Sequence, residues 1–507
     1  MPGSGTGSRA AATGGTTGQV TGPRHGGGGP HVRPRAHRPW IDSLAGPPGP
    51  SRSRERRFGA RPHRATPEEP ATTRAGRPMT RRPNVTELRT AAEAVTVFVA
   101  AAVAVLAIML PISFAALAES RHVDLLVFNI PRAMTGGAFV AVITAAVTVA
   151  VGSVRTARWT ALVALAGILL SHLVLARNAD STHFTGLSLP TLNFVDALLA
   201  GMAVGALAVA VWPAPLLRGV YLFAVPAATV LGDLTEAPTD ETSAGFDGVL
   251  AGTLPLWFIA ATVLALGYFA ATTTASPRPV LDTAIPLAPV FAAVIAFSAI
   301  LAASLAVAVR EITVPYVLVG AIVVVAAATT AALILPDRDG VLLLLMTTFA
   351  VAGSLVITLP RSGLVDVGTM IALGAGLLVG LRAPRAILAA ATVVALSVFV
   401  LATDLLDPPA ALNAAVGCLA LGAVCGYCVG SAVPGSPTSA VVGLSILFVP
   451  SLGVALSDDE FGHLAYSSSW YRTADVDRGP IPATASIGIA LACTAAIALI
   501  QRRRPAA

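Results

Sequence analysis

The chain has 507 residues, of which 55% are hydrophobic and 12% are charged, and its mean hydropathy is +0.76. A soluble domain carries about twice that share of charged residues, so the composition excludes a soluble globular protein. The net charge of +6 does not indicate a nucleic-acid partner, because much of the basic charge lies in residues 1–89 and the rest in loops between apolar segments.

The first segment differs in composition from the rest of the chain. Residues 1–78 consist mainly of Gly, Pro, Arg, Thr, Ser and His, with very few large apolar side chains. Such a segment cannot bury enough surface to fold, which predicts a disordered basic region over residues 1–90. Two interpretations stay open: a cytoplasmic tail that associates with anionic lipid, or translated non-coding sequence before a true start at Met79. The second is favoured, because the residues after Met79 form a short basic lead into an apolar segment.

Apolar runs of about twenty residues follow one another from about residue 91 to the end of the chain. Their length matches the hydrocarbon core of a bilayer, and their continuous rather than alternating pattern predicts helices. The sequence therefore predicts an all-α polytopic membrane protein. The fourteen predicted spans are 93–112, 133–153, 158–176, 194–212, 216–232, 249–270, 286–308, 313–335, 341–359, 364–381, 385–404, 410–432, 438–456 and 483–500.

The arginines between the spans predict the orientation. If the end that carries Arg81 and Arg82 is cytoplasmic, thirteen arginines fall in cytoplasmic segments and seven in outer segments. Such an excess is typical of cytoplasmic loops. We therefore expect a multi-pass protein of the plasma (inner) membrane with both termini cytoplasmic and a basic tail over 501–507. The acidic loops at 232–248 and 457–479 are expected outside.

Two glycine-containing segments, 192–213 and 412–434, indicate an internal repeat. Each begins at or near a Leu-Asn pair and ends in proline, and two glycines stand at the same distances before that proline. The glycines are Gly201 and Gly205 in the first segment and Gly422 and Gly426 in the second, which adds Gly430. Small residues every four positions let two helices approach closely in lipid, so these glycines are predicted to pack helices.

Two further pairs of segments match in the same order, 151–158 with 379–386 and 222–234 with 447–459. The shared order predicts two parallel six-helix bundles, over 91–270 and 341–500. Two linking helices over 271–340 would join them.

Cys425 and Cys428 have the spacing of a redox C-x-x-C motif. They lie within the second glycine segment, and cysteine is itself small and apolar. We interpret them as helix-packing residues, with thiol chemistry as the alternative.

A plan of six, two and six helices with parallel halves resembles the fourteen-helix branch of the major facilitator superfamily, over roughly residues 91–500. The segment 152–158 is similar to that family's glycine- and arginine-bearing loop between helices 2 and 3, and 105–113 is similar to the Leu-Pro end of its first helix. Neither segment has the family's acidic residue. The resemblance implies a secondary transporter that works by alternating access, with protons as a candidate coupling ion.

Ionisable groups within membrane helices are costly and indicate function. Asp196, about one turn inside the fourth helix and beside Asn193, is a candidate proton or substrate residue; alternatively it reaches headgroups or water. Its counterpart in the repeat, Gly417, is not acidic, which fits a site used in one half only. His172 is a candidate proton relay or a packed interfacial histidine. A cavity between the bundles near Asn193, Asp196 and Asn413 would favour transport.

Four charged residues outside the spans are further candidates. Arg132 and Asp124 stand in a predicted apolar outer loop before helix 2, where they would meet an anionic headgroup or substrate. Arg310 and Glu311, between helices 7 and 8, are a candidate gate pair or a solvated turn.

Pro226 and Pro450 are hinge candidates, because proline within a helix frees backbone carbonyls and permits bending; similar kinks also occur in inert bundles. No Gly-rich loop followed by Lys-Ser/Thr indicates a bound nucleotide, and no His, Cys and Asp cluster has the spacing of metal ligands. We expect no cofactor.

The leading hypothesis is a transporter, and not an enzyme, that exports a small amphipathic or lipid-like molecule, with the lipid bilayer and that substrate as partners. A membrane glycosyltransferase using lipid-linked donors is the alternative, with Glu119 and Asp124 as the candidate carboxylates. A non-catalytic scaffold subunit of an envelope complex is the third hypothesis.

Overall fold

A computed structural model describes residues 85–109, 121–178, 189–235, 254–272, 285–308, 314–356, 363–406, 409–457 and 480–504. Regular structure within these residues is entirely helical, which confirms the predicted class. Among the described residues, twelve segments are long and apolar enough to cross a membrane, and two shorter apolar helices bring the total to the predicted fourteen. Residues 1–84, Glu119, Arg310, Glu311 and both acidic loops beyond residues 235 and 457 lie outside the described residues.

The helices follow the predicted spans closely. They are α1 (Val85–Met109), α2 (Arg121–Val151), α3 (Val154–Asn178), α4 (Leu189–Val211), α5 (Pro215–Thr235), α6 (Leu256–Thr272), α7 (Leu287–Ala308), α8 (Val314–Ile334), α9 (Gly340–Val356), α10 (Gly363–Arg382), α11 (Ala386–Leu406), α12 (Ala410–Ser431), α13 (Pro437–Ser445), a 3-10 turn (Ile446–Phe448), α14 (Leu452–Ser457) and α15 (Ile481–Arg503).

Helix α2 begins at Arg121 rather than at 133. The prediction that Asp124 and Arg132 stand in a loop is therefore wrong, because both belong to this helix. Pro131 is accommodated inside it, and the Thr135 hydroxyl donates to the Pro131 carbonyl (2.8 Å). Charged residues and a proline suggested a loop, but proline is tolerated within membrane helices.

The predicted span 438–456 is interrupted. Helix α13 ends at Ser445, a 3-10 turn follows, and α14 begins at Leu452. Pro450 causes the break, since it has no N–H to donate and its ring excludes the carbonyl four residues earlier. The Ile446 carbonyl, which has no donor in Pro450, accepts instead from the Val449 N–H (3.1 Å). The Pro450 carbonyl accepts a hydrogen bond from the Ser304 hydroxyl of the neighbouring helix α7 (2.8 Å). Pro226, by contrast, lies within a continuous α5.

The connection between α2 and α3 shows how the chain reverses in two residues. Gly152 has a φ of 66° and its N–H donates to the Val149 carbonyl (2.9 Å), a left-handed end that favours glycine. The Ser153 hydroxyl then accepts from the Thr156 N–H (3.2 Å) and caps α3.

Helix pairs of the first six helices recur among the last six. In the first bundle (α1–α6), α2 packs along α4, α3 packs on α4 and α6, and α1 packs on α5. In the second bundle (α9–α15), α10 packs along α12, α11 packs on α12 and α15, and α9 packs on α13 and α14. Helices α7 and α8 pack on each other and link the bundles.

The contacts between the bundles follow the same repeat. Helix α2 packs against α13, and α5 packs against α10. In the repeat, α2 corresponds to α10 and α5 corresponds to α13. The α2–α13 interface is therefore the counterpart of the α5–α10 interface, which is the relation that a two-fold axis between the bundles would produce.

The repeated glycines lie at the closest helix contacts. A methyl group on Gly201 would overlap the Gly137 carbonyl of α2, and one on Gly205 would overlap the Ala141 carbonyl. The glycines of α12 oppose α10 in the same way: Gly422 meets Thr369, Gly426 meets Leu373 and Gly430 meets Leu377. In both bundles the later glycine meets the later carbonyl, so the paired helices run in the same direction.

The helix ends divide between two faces. Arg89 of α1 donates to the Thr272 hydroxyl of α6 (3.3 Å), and Arg158 of α3 pairs with Glu93 of α1 (2.5 Å), which brings the start of α1, the start of α3 and the end of α6 together. We call this the basic face, and the other the opposite face. The arginines at the basic face are Arg89, Arg155, Arg158, Arg218, Arg338, Arg382, Arg385, Arg502, Arg503 and Arg504.

Candidate functional site

A small cavity lies between the two bundles in the half of the protein nearer the opposite face. Its volume is about 60 Å³, enough for a few water molecules. The described residues that line it are mostly apolar, with hydroxyl groups from both bundles and no charged side chain. They are Met109, Met134, Thr229, Val230, Phe349, Ala350, Gly353, Ser354, Leu421, Leu447, Val449, Pro450, Ser451 and Val454.

The break in the α13–α14 segment forms one wall of this cavity. Pro450 and Ser451 line it, and the Ser451 hydroxyl lies 2.6 Å from the Ser354 hydroxyl of α9. Ser451 also caps α14, accepting from the Val454 N–H (3.3 Å). Interrupted membrane helices expose backbone and hydroxyl groups where ligands bind, so this wall can offer polar contacts inside an apolar cavity.

At the basic face, one hydrogen bond joins the two bundles, and two further polar contacts hold its acceptor loop to the start of α9. The Trp212 indole N–H, just after α4, donates to the Gly435 carbonyl (3.2 Å) in the loop before α13. The Gly435 N–H donates to Asp339 Oδ1 (2.8 Å), and the Ser436 hydroxyl lies 3.4 Å from Asp339 Oδ2. We call Trp212, Asp339, Gly435 and Ser436 the basic-face latch. Arg218 stands over the Trp212 ring, 5.5 Å from its centroid.

Between α3 and α4, polar side chains meet inside the first bundle. The Ser171 hydroxyl lies 2.5 Å from Asp196 Oδ1, and His172 Nε2 lies 3.4 Å from Asp196 Oδ2. Asp196 is 1% exposed and His172 is 8% exposed. The structure thus brings together two of the predicted site residues, and it places Asp196 against a histidine rather than at headgroups or water.

The other predicted residues lie apart from the cavity. Asn193 is buried on α4, Asn413 is half-buried near the start of α12, and Arg132 is exposed on α2. Asn193, Asp196 and Asn413 are not among the residues that line this cavity. Asp196 faces α3 within its own bundle, and the cavity is lined instead by α1, α2, α5, α9, α12 and the α13–α14 segment.

Several residues escaped the sequence analysis, although some carried a signal. Asp339 directly precedes α9, where an acidic residue is a common cap, and Trp212 ends an apolar run, where tryptophan is common. Ser354 and Ser451 carried none, because serine is frequent in membrane helices and only the tertiary structure brings the two hydroxyls together.

A second, larger groove of about 540 Å³ lies between α8 and α15. Valine, leucine, isoleucine, alanine and glycine line it, with Thr484 as its polar side chain. At the basic face the two helices are joined, because Arg504 donates to the carbonyls of Leu333 (2.9 Å) and Leu335 (2.7 Å). The groove therefore opens toward the opposite face.

All four cysteines lie buried as free thiols in the described helices. The Cys428 thiol donates to the Ala389 carbonyl of α11, 3.8 Å away. The described residues contain no group of three His, Cys, Asp or Glu side chains that could hold a metal ion.

The chain was compared with protein-family models and with curated proteins, and neither comparison finds a match. The functional conclusion therefore depends on the geometry described above.

Proposed function

We propose that this protein is a secondary transporter of the plasma membrane, similar in plan to the fourteen-helix branch of the major facilitator superfamily. It would move its substrate by rocking the first bundle against the second. The observation that carries the proposal is the pair of exchanged interfaces, α2 with α13 and α5 with α10. Two similar interfaces related by a repeat allow the bundles to tilt toward either face, which is the geometry of alternating access.

The position of the contacts supports a state closed at the basic face. The latch joins the bundles there, whereas the small cavity lies nearer the opposite face. We place the basic face in the cytoplasm, since cytoplasmic segments carry the excess of arginine. In this state a substrate would leave toward the outside, which fits an exporter.

The walls of the cavity support an amphipathic or lipid-like substrate. Methionine, phenylalanine and leucine provide apolar contact, and Thr229, Ser354 and Ser451 provide hydroxyl groups. A strongly charged substrate would need ionic partners, which this wall does not offer among its described residues.

Paired spin labels on the full chain in nanodiscs test the proposal. One pair, on Thr156→Cys and Arg385→Cys, reports the distance between bundles at the basic face, where both residues are exposed. A second pair, on Thr191→Cys and Leu412→Cys, reports the opposite face. The native cysteines are buried and leave little background.

Alternating access predicts two populations whose distances change in opposite directions at the two faces. A scaffold subunit predicts one fixed distance at each face. A single unchanging population for both pairs, with and without Trp212→Phe in the latch, would refute the proposed function.

A further inference from the structure

The groove between α8 and α15 is as long as one leaflet of a bilayer is thick. Its lining extends from Val314 to Ala326 along α8 and from Ile481 to Ala492 along α15. At about 1.5 Å per residue these stretches are about 16–18 Å long, and half of the hydrocarbon core measures about 15 Å. Both stretches begin at the opposite-face ends of their helices, so the groove lies in the leaflet at that face.

Protein closes this groove at its basic-face end and behind α8. Arg504 joins the ends of α8 and α15 through the carbonyls of Leu333 and Leu335. Behind α8, the Leu452 side chain of α14 lies 3.5 Å from the position of a methyl group on Gly320. No described residue lines both this groove and the small cavity between the bundles. The groove is therefore a separate site that opens toward the lipid.

The chemistry of the groove suits a hydrocarbon chain. Its lining is aliphatic apart from glycine and Thr484, whose hydroxyl donates to the Ile481 carbonyl of its own helix (2.9 Å). Its rim continues into exposed aliphatic side chains of α8, among them Val319 and Val323. Water does not fill an apolar space of this kind, and an empty space deprives its walls of dispersion contacts. Within a bilayer, the acyl chains beside the groove are the apolar material that can fill it.

Gly488 shows that this part of α15 does not pack closely on α8. A methyl group on Gly488 would meet nothing within 4 Å, whereas one on Gly426 of α12 would overlap the Leu373 carbonyl. Small residues in membrane helices commonly let two backbones approach each other, and glycine lowers helix stability relative to alanine. Gly488 gains no close helix contact in return. Its missing side chain widens the groove instead.

The repeat shows that a six-helix bundle does not require this groove. Helix α6 corresponds to α15, because α6 packs on α1 and α3 as α15 packs on α9 and α11. Helix α15 packs in addition on the linking helix α8. Among the described residues, α6 has no comparable third neighbour. The groove therefore results from the position of a linking helix beside the second bundle.

We propose that the groove between α8 and α15 is a binding site for one acyl chain of a phospholipid in the leaflet at the opposite face. The chain lies along both helices, with the headgroup beyond Val314 and Ile481 and the chain end near Ala326 and Ala492. The groove's volume of about 540 Å³ is within the range of ligand pockets, about 300–1,000 Å³. Walls on two sides hold this chain longer than a single helix surface holds its lipid neighbours. The site goes beyond the proposed function, since a transporter and a scaffold could both contain it.

Photolabelling of the full chain in nanodiscs tests the site. The discs contain phosphatidylethanolamine and a trace of an analogue with a photoreactive diazirine midway along one acyl chain, and peptide mapping locates the label. Ile322 in the groove is compared with Leu170 of α3 and Leu264 of α6. All three are exposed aliphatic residues eight positions from the opposite-face ends of their helices. Because depth and exposure are similar, we expect several-fold more label at Ile322 only if a chain is retained there.

Gly488→Leu fills the groove from α15, and the new side chain begins in open space. We expect the label at Ile322 to fall to the level of Leu170 and Leu264 in this variant. Ala495→Leu is the matched control, since Ala495 is exposed about two turns later on the same helix and does not line the groove. The excess label at Ile322 is expected to persist in the control.

Three results would overturn the proposal. Equal labelling of Ile322, Leu170 and Leu264 in the wild type would show that no chain is retained in the groove. An excess at Ile322 that Gly488→Leu leaves unchanged would have another cause. Less label at Ile322 than at the two leucines would show that a second copy or another segment of this chain covers the groove instead of lipid.

Discussion

The indole N–H of Trp212 in the first bundle donates a hydrogen bond to the Gly435 carbonyl in the second, 3.2 Å away. The same Gly435 donates its own N–H to Asp339 at the start of α9 (2.8 Å). Gly435, in the loop before α13, therefore connects the end of α4 to the start of α9. The bundles are therefore joined at the basic face by a polar contact in addition to the packing of α13 on α2 and α4.

Replacing Trp212 by Phe removes the indole donor and keeps an aromatic ring. A hydrogen bond of this kind contributes about 1 kcal/mol, so we expect the closed population at the basic face to fall about fivefold relative to the open one. The Thr156/Arg385 label pair measures the change. Trp159→Phe is the control, since Trp159 is exposed on α3 and lies in the same bundle; an equal shift in both variants would contradict a specific role for the latch.

Replacing Gly205 or Gly426 by Ala places a methyl group against the carbonyl of Ala141 or Leu373. Because the obstacle is helix backbone, α4 must move away from α2, or α12 from α10, and we expect a loss of about 1–3 kcal/mol in unfolding free energy. Unfolding in a denaturing detergent measures it. In Gly488→Ala the added methyl group meets nothing within 4 Å, and stability is expected to stay the same or rise slightly. Equal losses at all three positions would rule out close helix contact as the cause.

Replacing Ser304 by Ala removes the α7 hydroxyl that donates to the Pro450 carbonyl (2.8 Å). A buried acceptor that loses its donor costs about 1–3 kcal/mol, and we expect that loss to appear as increased hydrogen exchange in the interrupted α13–α14 segment. Thr330→Ala is the control, because the exposed Thr330 hydroxyl donates only within its own helix (2.8 Å). Its effect is expected to stay within about 0.5 kcal/mol.

Cys425 and Cys428 are expected to behave as packing residues. Both thiols are fully buried, and residues three apart on a helix have Cβ atoms about 5–6 Å apart, farther than the roughly 3.8 Å of a disulfide. A maleimide should therefore label neither thiol in the folded full chain, and a mild oxidant should form no bridge between them. The Cys425→Ala, Cys428→Ala double variant is expected to fold with normal label distances. If the label distances change in the wild type but not in the double variant, the two thiols have a chemical role and the packing interpretation is wrong.

Much of the helical plan follows from the sequence, because its causes are local. Continuous apolar runs near twenty residues must become helices in a bilayer, where each backbone group needs a partner within its own segment. Even the tight connection between α4 and α5 is correctly placed, since Pro213 and Pro215 cannot continue a helix but can begin one. The errors also have local causes. Pro131 and the charges near it resembled a loop. Pro450 interrupts its predicted span, whereas Pro226 leaves α5 continuous.

The candidate site was only partly accessible from the sequence. Asp196 was identified because a carboxyl group within an apolar run is unusual. Its partner His172 was identified separately, but the pairing of the two depends on the rotation of α3 and α4 about their axes. No single-helix pattern defines that rotation, since both helices are apolar nearly all round.

The class of this protein, the number of helices in its described residues and the positions of its repeated glycines therefore follow from the sequence. These depend on hydrophobicity and on backbone hydrogen bonding, which act over one segment at a time. The tertiary structure decided which helices pair, where the bundles touch and what Asp196 contacts. Those relations depend on the shapes of two surfaces that meet, and a glycine or a serine acquires its role only from the residue on the other side of the contact.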